Sequence, residues 1–331
     1  MSKPIVAVTG ASGHLGIHIV LKLVENGYPV RAMYHSQIPD VETTNVEWFK
    51  GDITNAESLE ILLKNCQVVI HAAGLVQLQK SSRELVLETN VLGTQNILDH
   101  CLISNRKIRF IHISSTSAVS PFPRHEKMDE NRAYIKSSEL AYAWSKSMGE
   151  QMVLKSVEDH NMDAIILRPS AMIGAPDFRP SIVGSSILQF VRNQIPAITT
   201  GGYNYLDIRD AAQTIVNSIE LGQKGEVYNL GGEFLTVSEL SKVISEVSGC
   251  KDPKIVFPIN LIILFRPILN YLYERRKIVS PFTRENLFFL KNGPRQLDCS
   301  KAEKNLKHKP RPIKESVEDL IRWFQEKKIL T

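Results

Sequence analysis

Tyr142 and Lys146 stand four residues apart in a stretch that reads as helix, 139–159, so both side chains leave the same face. A tyrosine at its ordinary pKa of about 10 is a poor acid–base at neutral pH. A neighbouring ammonium favours the phenolate and lowers that value, so the pair is suited to moving a proton to or from a substrate oxygen. Ser115 and Thr116, at the mouth of the strand expected over 108–114, offer a hydroxyl to orient a carbonyl beside the tyrosine. The pair alone proves little, because tyrosine and lysine on helices ordinarily mean a packed ring and a solvated stem. Their order in the chain gives them weight.

That order begins with a glycine-rich turn, Thr9-Gly10-Ala11-Ser12-Gly13-His14-Leu15-Gly16, set between a β-branched run at 4–9 and helical apolar spacing over 15–25. Gly10 permits a sharp turn, Gly13 lets backbone amides approach a pyrophosphate, and Gly16 lets helix and strand pack closely. The helix start adds free N–H groups and a partial positive charge. The spacing is Gly-x-x-Gly-x-x-Gly, a variant of the dinucleotide fingerprint. An NAD-preferring site usually places an acid about 20 residues past the turn. Here that strand ends Val30-Arg31-Ala32-Met33-Tyr34-His35, with no acid before Asp40. Arg31 and His35 are therefore expected to receive a 2′-phosphate, which favours NADP over NAD. Asp52, in Gly51-Asp52-Ile53, either accepts from the adenine amino group or caps the next helix.

These residues need a scaffold that brings them together. Further strands are expected at 29–34, 46–50, 67–71, 108–114 and 164–167, with helices over 82–100 and 139–159. Strands alternating with helices of this length predict an α/β fold, a Rossmann-type doubly wound parallel sheet covered on both faces. After Pro169 the rhythm changes, then a helix at 207–221 and a strand at 226–230 return to the sheet. The expected division is a cofactor-binding domain at 1–169 with 207–232, and a smaller, mostly helical substrate lobe from 170–206 and 233–331. All the candidate residues fall near the carboxyl edge of the sheet, where such folds bind ligands.

Composition excludes several classes. A net charge of +5 on 331 residues, with basic residues dispersed, argues against a nucleic-acid surface. Cys66, Cys101, Cys250 and Cys299 lack metal-ligand spacing, so no metal is expected and a reduced, cytoplasmic setting is. No signal peptide is expected, because the first apolar run leads straight into the glycine turn. The uncharged apolar stretch 255–265 is 11 residues long, too short for a spanning helix of about 20.

Taken in order, the motifs resemble the extended short-chain dehydrogenases/reductases. The glycine turn and Gly51-Asp52-Ile53 are followed by His71-Ala72-Ala73-Gly74, Asn90 to Thr94, and Ile113-Ser114-Ser115-Thr116. Then come Tyr142 with Lys146, the run from Leu167 to Gly174, residues 205–210 and Tyr228-Asn229-Leu230-Gly231-Gly232. The resemblance implies that Tyr142 is the catalytic acid–base, Lys146 its electrostatic partner at the nicotinamide ribose, and Ser115 or Thr116 the carbonyl-orienting hydroxyl. It implies cofactor contacts from Ala72, Ala73, Gly74 and Ser114, and from the backbone of Pro169, Ser170 and Ala171 at the carboxamide. Asn90 would support a proton-relay water, and a homodimer would form through the helices beginning at Ser82 and Glu139.

Nucleotide-sugar epimerases and dehydratases commonly carry Tyr and Asn where this chain has Ser120 and Ala171. The chain is more similar to the dihydroflavonol-reductase and 3β-hydroxysteroid-dehydrogenase-like branch, through Arg31 and Pro169-Ser170. That similarity implies reduction of a carbonyl, or oxidation of the alcohol, on a fairly apolar small molecule. The other readings are an epimerase or dehydratase on a sugar nucleotide and a cofactor sensor without catalysis. Residues 255–273, beside Arg275-Arg276-Lys277, would pack on the substrate lobe, line an apolar pocket or touch a membrane surface.

Overall fold

The computed structural model describes residues 3–41, 43–76, 83–103, 107–275, 280 and 282–330. The elements in chain order are β1 (Val6–Thr9), α1 (His14–Glu25), β2 (Val30–Tyr34), β3 (Val46–Lys50), α2 (Ala56–Leu63) and β4 (Val68–His71). Next come α3 (Arg83–Leu87), α4 (Gly93–Ile103), β5 (Arg109–Ile113), α5 (Ala141–His160), β6 (Ala164–Pro169), β7 (Ala171–Ile173) and α6 (Ile182–Val191). They are followed by β8 (Ala197–Thr199), β9 (Gly202–Asp207), α7 (Ile208–Leu221), β10 (Val227–Leu230), β11 (Glu233–Thr236) and α8 (Val237–Ser248). The last are β12 (Ile255–Phe257), α9 (Ile259–Arg275), α10 (Arg284–Asn292), α11 (Ser300–Leu306) and α12 (Ile313–Glu326).

Seven strands form one parallel sheet in the order β3-β2-β1-β4-β5-β6-β10, the expected doubly wound arrangement. Alternation along the strands feeds two cores. Val6, Val8, Ile111 and Leu167 face α1 and α7, where Ala302 and Leu306 of α11 also pack. Ala7, Val69, Phe110 and Ile166 face α2, α4 and α5. A third cluster joins Ile173 and Tyr205 to α6, α8 and α12, with Trp323 half-buried against it and edge-on to Phe178. Strand order reverses between β1 and β4, and the loops after β1, β4, β5 and β6 gather at that edge. Such a switch point opens a crevice for a ligand.

The helix expected over 82–100 is broken. Within the described residues α3 and α4 are joined by a π-helical turn at Glu88–Leu92. Asn90, buried in that turn, accepts from Leu75 N at 2.6 Å and donates to Leu75 O at 3.0 Å and Ser145 Oγ at 2.9 Å. The inserted residue re-aims this side chain onto the loop after β4, a use to which such bulges are often put.

Four histidines are buried, His18, His71, His112 and His308, and burial lowers the pKa of each. His71 is hydrogen-bonded with Thr9 Oγ1 and Thr94 Oγ1, His18 with the Pro176 carbonyl, and His112 has no partner among the described residues. Burial pushes His18 and His71 down to about 3, and pushes His112 well below its usual range. The unfolded chain takes up these protons near the ordinary pKa of about 6.5, whereas the folded chain refuses them. Stability is therefore complete above that pH and lost as pH falls toward 3. With at least three protons at stake, urea melts between pH 6.5 and 5 should lose at least about 4 kcal/mol per pH unit at the acid end. A flat stability profile over that window would contradict the burial of these rings as neutral groups.

Candidate active site

Helix α5 begins without a side-chain cap of its own, because Leu140 occupies the N-cap position. The carboxylate of Glu285, on α10, takes that role across 143 residues of chain, accepting from Tyr142 N at 3.2 Å and Ala143 N at 2.7 Å. Glu285 is buried, so its removal leaves two helix-start amides unsatisfied next to the tyrosine. Glu285→Ala should cost about 1–2 kcal/mol of stability, as the loss of a cap does. It should also lower kcat more than it raises KM, since Tyr142 loses its anchor. Unchanged kcat in a folded variant would contradict that positioning role.

Tyr142 sits on the first turn of α5, half-buried, and Lys146 one turn further on, buried. Ser115 Oγ accepts from Ser117 N at 3.2 Å and Ser117 Oγ at 2.9 Å, and its hydroxyl favours the ionised form of the nearby Tyr142 phenol. Burial pushes the Tyr142 phenol up to about 12, the Ser115 hydroxyl opposes that rise and the Glu285 carboxylate adds to it. The expected depression by Lys146 is thus not what governs the phenol here. Lys146 donates from Nζ to the Ile113 carbonyl at 2.9 Å, and burial lowers its pKa to about 8 against the pull of Glu150. Without a ligand the phenol is thus held in its protonated form.

The glycine turn lies against the loop after β4. Gly10 has φ +66°, and a Cβ there would meet the Ala73 backbone at 2.7 Å. A Cβ on Gly16 would run into the Gly10 carbonyl and come within 2.8 Å of Ala11 Cα. Gly13 is the exposed N-cap of α1, whose first turn carries neither a side-chain cap nor an acid. Its free amides therefore point at whatever the crevice holds. Ser12 and Leu15 flank them half-buried. The backbone at Gly74 passes so near Lys146 Nζ and Asn90 Oδ1 that a Cβ would lie 3.1 and 3.4 Å from them. Ala72 and Ala73 precede it, and Ala73 N donates to Thr9 Oγ1 at 3.2 Å.

On the far side, Pro169 ends β6, Ser170 N donates to the Leu230 carbonyl at 2.8 Å, and Ala171 opens β7 opposite Tyr205. Ser170 Oγ is buried with no partner among the described residues. An orphaned hydroxyl, an uncapped helix start and two glycines, Gly10 and Gly16, that exclude a Cβ together fit a dinucleotide.

Some candidates do other work. Arg31 leaves β2 away from the turn: Nε donates to Leu62 O at 3.0 Å and Nη2 to Ile61 O at 2.6 Å, while Nη1 pairs with Glu47 at 2.6 Å. Those carbonyls end α2, which runs antiparallel to the strands, so the guanidinium sits at the sheet's amino edge and cannot receive a 2′-phosphate. The buried Ser114 hydroxyl donates to Glu150 beneath the site. Thr116 opens a 3₁₀ turn at Thr116–Ala118, capped by the Ser115 side chain. Ile53 turns its side chain inward against Gly93.

Asp52 does not cap α2; Asn55 does. Its Oδ1 accepts from Thr54 N and Oγ1, both at 2.8 Å, and these bonds hold its pKa below the usual carboxylate value. Oδ2 lies 3.5 Å from the exposed His35 ring. His14 reaches across to the Gly174 carbonyl at 3.0 Å and Asp177 at 3.8 Å. Sequence reasoning missed Arg179, whose guanidinium crosses from the segment before α6 to Ser36 Oγ at 3.2 Å and Gln37 Oε1 at 3.0 Å. It carries no motif, and only the fold brings it beside His35.

A sheet of this order with these groups at its switch point defines an NAD(P)-dependent oxidoreductase of the extended short-chain dehydrogenase/reductase type. The model of the NAD dependent epimerase/dehydratase family matches residues 6–231, and the chain belongs to that family. A Synechocystis protein named putative dihydroflavonol 4-reductase is 30% identical over 330 residues, covering 96% of this chain and 94% of its own length. Sterol demethylase protein B of Methylococcus capsulatus is 27% identical over 327 residues, covering 97% and 98%. The crystal structure of gox2253 superposes with a TM-score of 0.85 at 28% identity, covering 99% of this chain and 100% of that one.

Proposed function

We propose that this protein is an NADPH-dependent reductase of a ketone on a fairly apolar small molecule, with Tyr142 as the proton donor. The observation that carries the reading is Tyr142 and buried Lys146 one turn apart on α5, with Ser115 following β5, at the edge where the glycine turn opens. When bound, NADPH supplies a hydride to the carbonyl carbon. Ser115 and Tyr142 then face the carbonyl oxygen, and Tyr142 gives its proton as negative charge develops there. Lys146 keeps a positive charge behind the phenol.

The apolar substrate class is supported by Ser120 and Ala171 standing where sugar-nucleotide enzymes place polar groups, and by the names of the two relatives. Net NADPH oxidation with bulky apolar ketones, and none with uridine diphosphate sugars, is the expected outcome. Turnover of a sugar nucleotide without net cofactor loss would replace this reading with an epimerase.

The preference for NADPH is supported by His35, Ser36 and Arg179 around the end of β2, in place of an acid. A charge-assisted contact to phosphate is worth about 1.5–3 kcal/mol. Arg179→Ala should therefore raise KM for NADPH at least about tenfold and leave that for NADH unchanged; equal effects on both would remove Arg179 from the phosphate.

We also propose the homodimer and the division into a cofactor domain and a substrate lobe given by the sequence. Leu87, Val91, Leu92, Trp144, Met148 and Met152 line an open apolar groove of about 350 Å³ beside α5, which supports pairing along this face. Among the described residues no helix is long and apolar enough to cross a membrane, and none form a metal-binding cluster.

A further inference from the structure

Helix α9 is apolar on its inward side, where Ile259 is buried, and on its outward side as well. Its inward positions include Asn270, Arg266 and Ile262, all half-buried. Its outward face runs Leu261, Leu264, Phe265, Ile268, Tyr271 and Leu272, at helical spacing and between 43% and 69% exposed. Of the 19 large apolar residues exposed among the described residues, ten fall within the 18 positions from Ile255 to Leu272. Scattered exposed apolar residues are normal, but a contiguous patch marks a docking surface.

Charge decides which surface. From Lys251 to Lys277 the sequence carries six basic residues, Lys251, Lys254, Arg266, Arg275, Arg276 and Lys277, against Asp252 and Glu274. Asp252 is paired with Lys254 at 3.1 Å, and Lys291 adds a further cation by donating to Asn260 at 2.7 Å in the first turn of α9. Arg275 closes the apolar face at its carboxyl end, 5.8 Å from the Tyr271 ring. An apolar stripe with a cationic margin matches the interface of an anionic bilayer, where side chains bury to the acyl boundary and basic groups meet lipid phosphates. A second copy fits poorly, since a two-fold contact sets this basic margin against itself.

We propose that α9, with β12 beside it, is a peripheral docking surface for anionic lipid bilayers. Helix α9 packs on α10, the element that carries Glu285 to the start of α5. The docking itself does not depend on the substrate reading.

The test is co-sedimentation of the full chain with vesicles of phosphatidylcholine and phosphatidylglycerol in equal parts. The wild type should bind these, bind vesicles of phosphatidylcholine alone at least tenfold more weakly, and be released in part by high salt. Leu264→Glu with Ile268→Glu, at two of the most exposed positions, should lose binding at least tenfold while its melting temperature is kept. In an otherwise wild-type chain, Ile268→Trp should shift its fluorescence to the blue on the mixed vesicles. No sedimentation of wild type, or equal sedimentation of the double variant, would overturn the proposal. So would a vesicle-free dimer that the double variant turns into monomer, which would assign the face to a second copy.

Discussion

Tyr142→Phe is expected to lower kcat for ketone reduction by about 10²–10⁴-fold, the contribution of a positioned proton donor. The ring stays in place because its packing on α5 is unchanged, and only the hydroxyl that meets Ser115 is lost. NADPH affinity should hold, since the groups that fit the dinucleotide lie on the glycine turn and the loops after β4 and β6. A titration of cofactor fluorescence beside steady-state rates separates the two effects. A variant that turns over normally would remove Tyr142 from the chemistry, and one that loses both rate and cofactor would point to a fold defect.

The second large effect concerns the floor of the site. Arg168 and Glu150 are both buried, and they make a forked pair with Arg168 Nη2 2.6 Å from Glu150 Oε2 and Nε 2.9 Å from Oε1. Ser114 Oγ donates to the same carboxylate, and Arg168 Nη1 donates to the Glu130 carbonyl at 3.0 Å. Bidentate pairing and these extra bonds satisfy the groups that burial has dehydrated. Glu150→Ala leaves a guanidinium in the core with its fork empty, which costs about 3–5 kcal/mol. Urea unfolding should show that loss, while Glu150→Ala with Arg168→Met should recover part of it. Equal stability of the single variant and the wild type would show that the pair is not dehydrated.

The sheet was legible in the sequence because its strands are buried on both faces. Runs such as Val6 to Val8 and Val68 to Ile70 are apolar without interruption, and each strand is followed by glycines or small residues. Tyr142 and Lys146 were legible for a local reason, since four residues on a helix set a shared face. What escaped depends on elements distant in the chain. Arg31 reads as a phosphate ligand from its strand alone, but the carbonyl end of α2 arrives beneath it and takes the guanidinium.

The phenol's acidity was misjudged for a similar reason. Spacing put Lys146 near Tyr142, whereas the fold gave the ammonium to the Ile113 carbonyl and set Glu285 against the helix start. Asn90 was placed by its motif, but the π-helical turn that aims it at Leu75 leaves no mark in apolar periodicity. Arg179 and Glu285 lie in segments with no motif, so only contacts between remote residues reveal them.

The central claim is hydride transfer to a ketone with a proton from Tyr142. Its most direct test follows deuterium from nicotinamide-4-deuterated NADPH during reduction of a bulky apolar ketone. One deuterium is expected on the new carbinol carbon, with one NADP⁺ formed for each alcohol and both lost in Tyr142→Phe. Product without deuterium, or inversion of a sugar carbon with no net NADP⁺, would contradict it.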